Sequence, residues 1–123
     1  MNKKILILIF IGVIVLGGII FVFYKNKNIP AQKSNIVLFY GDGCPHCANV
    51  DEFIKENKVD EKVSFDKKEV YNNKDNAAEL SEKAGKCGLA QGEVGVPFLW
   101  TGSECLVGDT DIINFFQQKI NEK

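Results

Sequence analysis

Apolar residues fall along this chain in two regimes. From Ile5 to Tyr24 they form a run of 20 residues, glycines included, with no charged side chain. At about 1.5 Å per residue such a helix spans about 30 Å, the hydrocarbon thickness of a bilayer. From residue 35 onward the pattern becomes periodic. Ile36 to Tyr40 is a continuous β-branched and aromatic stretch, which predicts a strand buried on both faces. After the turn-forming Gly41 and Gly43, residues Cys47, Val50, Phe53 and Ile54 recur at helical spacing, and Pro45 suits the first turn of that helix. Val63 and Phe65 alternate with polar residues, and Val70-Tyr71 closes a second predicted strand. Asn72 or Asn73 can cap a second helix with the apolar stripe Ala77, Leu80 and Ala84. Val96 to Trp100 and Cys105 to Val107 read as a hairpin around Thr101-Gly102-Ser103. Asp109 or Thr110 then caps a last helix that faces inward with Ile112, Ile113, Phe116 and Ile120. The predicted order is β-α-β-α-β-β-α, an α/β domain with a mixed four-stranded sheet flanked by helices. Its first two strands are parallel across a helix.

Length divides the 123 residues into a short flank at 1–4, a transmembrane anchor at 5–24, a polar tether at 25–34 and one domain at 35–123. About 90 residues bury a single modest core, which excludes a multidomain enzyme. Charge sharpens the division. Residues 1–33 hold five Lys and no acid, whereas the remainder holds ten Lys against 16 acids and no Arg. An acidic, Arg-free domain lacks the basic footprint of a nucleic-acid binder. Lys3, Lys4, Lys25 and Lys27 flank the apolar run as snorkelling side chains do. A cleavable signal sequence is the alternative. Its apolar region runs only about 7–15 residues and ends at a small-x-small site, for which Ile29-Pro30-Ala31 is the one candidate. The lysines nearly balance across the run, so orientation falls to the cysteines.

All four cysteines lie in the domain, and Cys44-Pro45-His46-Cys47 is the strongest chemical feature. A Cys-x-x-Cys pair that leaves a buried strand and opens a helix sets its first sulfur among unsatisfied N–H groups at the positive end of the dipole. That setting favours thiolate, the nucleophile of disulfide exchange. Cys47, one turn on, faces the protein and can resolve a mixed disulfide. His46 adds a second anion-stabilising group beside Cys44. A plain solvated histidine is the alternative.

Strand, Cys-Pro-His-Cys and helix, followed by Gly95-Val96-Pro97 before a strand, resembles the thioredoxin superfamily over residues 34–123. The short layout is similar to glutaredoxins. Their Val-Pro pair, with its proline cis, would be Val96-Pro97, and their glutathione-binding Gly-Gly-x-Thr-Asp stretch resembles Val107-Gly108-Asp109-Thr110-Asp111. The Pro-His dipeptide resembles the oxidising DsbA-type proteins of the bacterial periplasm. The resemblance implies a thioredoxin-like fold and a catalytic set of Cys44, Pro45, His46 and Cys47. It also implies that Val96 and Pro97 hold the backbone of a protein client, and that Thr110 and Asp111 bind glutathione if glutathione is a co-substrate. The buried acid and the Trp usual near the first cysteine of thioredoxins are here Leu38 and Gly43, so the proton of Cys47 must leave by another route.

Cys87 and Cys105 are read as a structural disulfide, given an oxidising compartment. Two buried small hydrophobes or an electron relay are the alternatives. Zinc held by all four cysteines would need spacings unlike those of zinc ribbons, and no metal is expected. The combined expectation is a single-pass membrane thiol–disulfide oxidoreductase with its domain outside the cytoplasm. Its only redox group is the Cys44–Cys47 pair and its clients are protein thiols and disulfides; the sequence does not identify its redox partner protein. A glutathione-dependent reductase and a redox-sensing or metal-binding module are the competing functions.

Overall fold

The computed structural model describes residues 34–122 apart from 91 and 93, together with residues 2–5, 7 and 13. Residues 1–32 and 33–123 cluster as two separate units. Apart from Ile5, Ile7, Val13 and Ser34, the expected anchor and tether lie outside the described residues. Among the described residues no helix is long and apolar enough to cross a membrane.

The second unit runs β1 (Val37–Tyr40), α1 (Pro45–Asn57), α2 (Val59–Lys62), β2 (Asp66–Glu69), α3 (Lys74–Lys86), β3 (Phe98–Trp100), β4 (Cys105–Val107) and α4 (Asp109–Asn121). The sheet order is β2-β1-β3-β4. β1 pairs parallel with β2 and antiparallel with β3, and β3 pairs antiparallel with β4. This is the mixed four-stranded sheet of a thioredoxin-like α/β fold.

The two-residue period of the central strands explains how both faces are covered. Leu38 of β1 and Leu99 of β3 pack with Val50, Ile54, Val59, Ile112 and Phe116 from α1, α2 and α4. Val37, Phe39 and Phe98 point the other way, onto Leu80 and Ala84 of α3. The rings of Phe39 and Phe98 meet edge to face, their centres 6.0 Å apart. Each of these fully buried Leu and Phe side chains stabilises the fold by about 1.5–3 kcal/mol. The continuous apolar run of β1 reflects its central place, whereas β2 and β4 are the edges.

Four boundaries depart from the sequence reading. The second strand is the polar stretch Asp66–Glu69 rather than Val63–Tyr71, because an edge strand needs only its backbone to pair. Val63 and Phe65 precede it and pack against the core from outside the sheet. A one-turn helix, α2, intervenes before them; Lys58 reverses the chain with φ 50° and Val59 is fully buried. The third strand begins at Phe98 rather than Val96, because Pro97 has no N–H to give to the ladder; the Val96–Pro97 bond is cis. The cap of the last helix is Gly108, neither Asp109 nor Thr110. Asn73 caps α3, accepting from the N–H groups of Asp75 and Asn76 at 3.1 Å each.

Cys87, at the C-terminal end of α3, is disulfide-bonded to Cys105 on the edge strand β4, 18 residues away. A closed loop of that length stabilises by about 3 kcal/mol in the loop-entropy description. Replacing both cysteines by alanine should lower the urea-unfolding stability of the full chain by about 3 kcal/mol. A change below about 0.5 kcal/mol would show that the bridge constrains little.

Candidate redox site

After β1 the chain turns through Gly41-Asp42-Gly43, with the Cys44 N–H donating to the Gly41 carbonyl at 3.2 Å. Gly43 sits at φ +76°, a conformation L side chains rarely adopt, so this turn needs glycine there. The turn delivers Cys44 to the N-cap of α1 and Pro45 to its first position. Cys44 Sγ accepts the Cys47 N–H at 3.3 Å, doing with sulfur what a Ser or Asp oxygen does at an ordinary cap.

Cys44 and Cys47 are free thiols. The first is half-buried and the second only 4% exposed. Burial, reinforced by the hydrogen bond with Cys44, pushes the Cys47 thiol up to about 12; the Asp51 carboxylate adds to the shift and the Gly41 backbone opposes it. The two sulfurs are therefore unlike, one reachable and acting as a cap, the other enclosed and held protonated. The Cys44 thiol donates to the Val96 carbonyl at 3.5 Å, on the cis side of the buried Pro97. The Pro97 carbonyl in turn accepts from Gly108 N–H at 2.9 Å, which fixes the start of α4 beside the same loop. A cavity of about 250 Å³ opens here, walled by Tyr40, Asp42, Cys44, Cys47 and Asp51 among others.

His46 is exposed on the first turn of α1. Its Nδ1 lies 3.0 Å from Asp109 Oδ2, and it makes no hydrogen bond to either cysteine among the described residues. The same Asp109 oxygen accepts from Asn49 Nδ2 at 2.6 Å. Hydrogen bonds from Asn49 first and His46 second bring the Asp109 carboxyl down to about 2. Asn49 is a functional candidate absent from the sequence reading, and Asp109 entered it only as a cap and within the glutathione-like stretch. The local signal at Asp109, an acid before a helix, pointed to a cap, and its partners lie 60 and 63 residues away. Thr110 and Asp111 are exposed on the first turn of α4, and the Thr110 N–H donates to Asp109 Oδ1 at 3.0 Å.

The four sulfurs are split between the Cys44/Cys47 dithiol and the Cys87–Cys105 bridge. Among the described residues no group of three or more His, Cys, Asp or Glu side chains is placed to hold one metal ion.

A thioredoxin-like sheet presenting a Cys-x-x-Cys pair at a helix start, opposite a cis-proline loop, defines a class of dithiol oxidoreductases. Residues 36–106 match the family model described as Glutaredoxin, more than half of the chain. The chain belongs to the glutaredoxin family, and thiol–disulfide exchange through Cys44 and Cys47 is its class of chemistry. Among solved structures, the oxidised C-terminal domain of DsbD from Neisseria meningitidis is similar at 19% identity. The match has a TM-score of 0.45 and covers 87% of this chain and 95% of that one. No curated protein matches the chain.

The depressed Asp109 carboxyl carries a pH dependence. Its folded value of about 2 lies below an unfolded Asp at about 3.9. Its contribution to stability is therefore present above about pH 4 and is lost as pH falls through about 2. The melting-temperature gap between the unmutated chain and Asp109→Ala should narrow between pH 5 and pH 2. A gap that stays constant would contradict the role of the hydrogen bonds that Asp109 accepts.

Proposed function

We propose that this chain is a membrane-anchored oxidoreductase that exchanges disulfides with protein thiols outside the cytoplasm. In this reading Cys44 is the sulfur that attacks or is attacked, Cys47 resolves the mixed disulfide, and Pro45 shapes the first turn. Val96 and Pro97 offer backbone to the client, as strand-like pairing suits an unfolded, sequence-tolerant partner. The observation that carries it is the inequality of the two thiols, a half-buried Cys44 sulfur capped by an N–H against an enclosed Cys47 held protonated. Anchoring is supported by the apolar run Ile5–Tyr24. The extracytoplasmic placement is supported by the bridged Cys87–Cys105 pair, which persists in oxidising compartments. The redox-active disulfide is the working group, with no metal or organic cofactor, and a separate protein resets it.

The family match favours a second reading, a glutathione-dependent reductase with Thr110 and Asp111 at the glutathione. Glutathione added to a mixed-disulfide assay separates the two, since a protein-directed enzyme turns over its clients without it.

Cys44→Ser should abolish exchange, and Cys47→Ser should accumulate mixed disulfides with clients, seen on non-reducing gels. Trapping through Cys47 in Cys44→Ser would reverse the roles. The equilibrium potential against glutathione sets the direction of electron flow: a value near about −120 mV marks an oxidant and one near about −270 mV a reductant. For location, protease added outside intact cells should digest the domain of the full chain. Protection until the membrane is opened would contradict the placement.

A further inference from the structure

Asp109 stands outside the Cys-Pro-His-Cys motif, yet two side chains of α1, His46 and Asn49, converge on one of its oxygens. With its carboxyl held at about 2, Asp109 is ionised at neutral pH, and an ionised carboxylate only accepts hydrogen bonds. The shared proton therefore belongs to His46 Nδ1, and a neutral imidazole so held keeps its lone pair on Nε2. Nε2 has no hydrogen-bond partner among the described residues, and 69% of the His46 side-chain surface is open to solvent. His46 stands between the two cysteines on the first turn of α1.

From this placement we infer that Asp109 is a positioning residue that fixes the tautomer of His46, leaving Nε2 to accept the proton of an incoming client thiol. The inference rests on the oxidoreductase reading above and adds to it the group that handles the proton. In the oxidised chain, the client S–H gives its proton to Nε2 as the client sulfur attacks Cys44 Sγ. The Cys44–Cys47 bond breaks and its electron pair leaves on Cys47. That buried thiolate takes a proton from water, and His46 returns its own to water. The client sulfur is oxidised to the disulfide level and Cys47 is reduced to a thiol, while Cys44 passes from one disulfide to another, with no further oxidant. In the reverse direction the imidazolium protonates the departing client sulfur.

The size of the effect is bounded. A client thiol with a pKa of about 8.5 is about 3% ionised at pH 7, so a base gains at most about thirtyfold. A thiol already ionised at pH 7, such as thionitrobenzoate, gains nothing.

The test compares the rates at which oxidised full chain, in detergent, reacts with a cysteine peptide and with thionitrobenzoate. Asp109→Ala should lower the peptide-to-thionitrobenzoate ratio by about tenfold, and Asp109→Asn, which keeps an acceptor oxygen, by about threefold. The chain has a single histidine, so nitrogen NMR at about pH 8.5 reads its tautomer directly. The unmutated chain should show the Nδ1–H form and Asp109→Ala the Nε2–H form. Equal slowing with both thiols, or an Nε2–H tautomer in the unmutated chain, would overturn the inference and leave the oxidoreductase reading intact. An unmutated chain that reacts with neither thiol would remove both.

Discussion

One hydrogen bond organises the site: the Cys47 N–H given to Cys44 Sγ at the first turn of α1. A helix must satisfy its leading N–H groups, and here the capping acceptor is the sulfur that does the chemistry. The same bond holds the two sulfurs in register and ties the reactive thiol to an element anchored in the core by Val50 and Ile54. A mobile loop cysteine would have neither the donor nor the fixed partner. Reactivity here is a by-product of ordinary helix capping performed with an unusual atom.

The rest of the fold brings three segments remote in sequence to that sulfur. β1 and its glycine turn deliver α1. β3 begins at Phe98, which holds the Val96 carbonyl within reach of Cys44. The Gly108–Pro97 hydrogen bond closes the third side by fixing where α4 starts, and so where Asp109 meets α1. The Cys87–Cys105 bridge ties α3 to β4 at the two ends of the segment that carries the Val96–Pro97 loop. The site is thus framed by backbone contacts, and its side chains differ in burial more than in type.

How much of this the sequence disclosed follows from the range of each interaction. The buried run of β1, the helical period of α1, the Asn73 cap and the Cys-x-x-Cys pair are local patterns and were legible. β2 was displaced because Asp66–Glu69 pairs through its backbone, while the apolar Val63 and Phe65 that mimicked a strand serve the core instead. α2 escaped because a single turn after Lys58 leaves no period to read. Asp109 was misread as a cap because its true partners arrive only when α1 and α4 pack together. His46 was legible from its adjacency to Cys44, but its contact with Asp109, 63 residues away, left no local signal.

The account stands on the inequality of the two thiols, and selective alkylation measures it most directly. Reduced full chain treated briefly with iodoacetamide at pH 7 and mapped by mass spectrometry should carry the label on Cys44. Cys47, enclosed and held protonated, should stay unlabelled until the chain is denatured. Equal labelling of both, or labelling of Cys47 first, would contradict it.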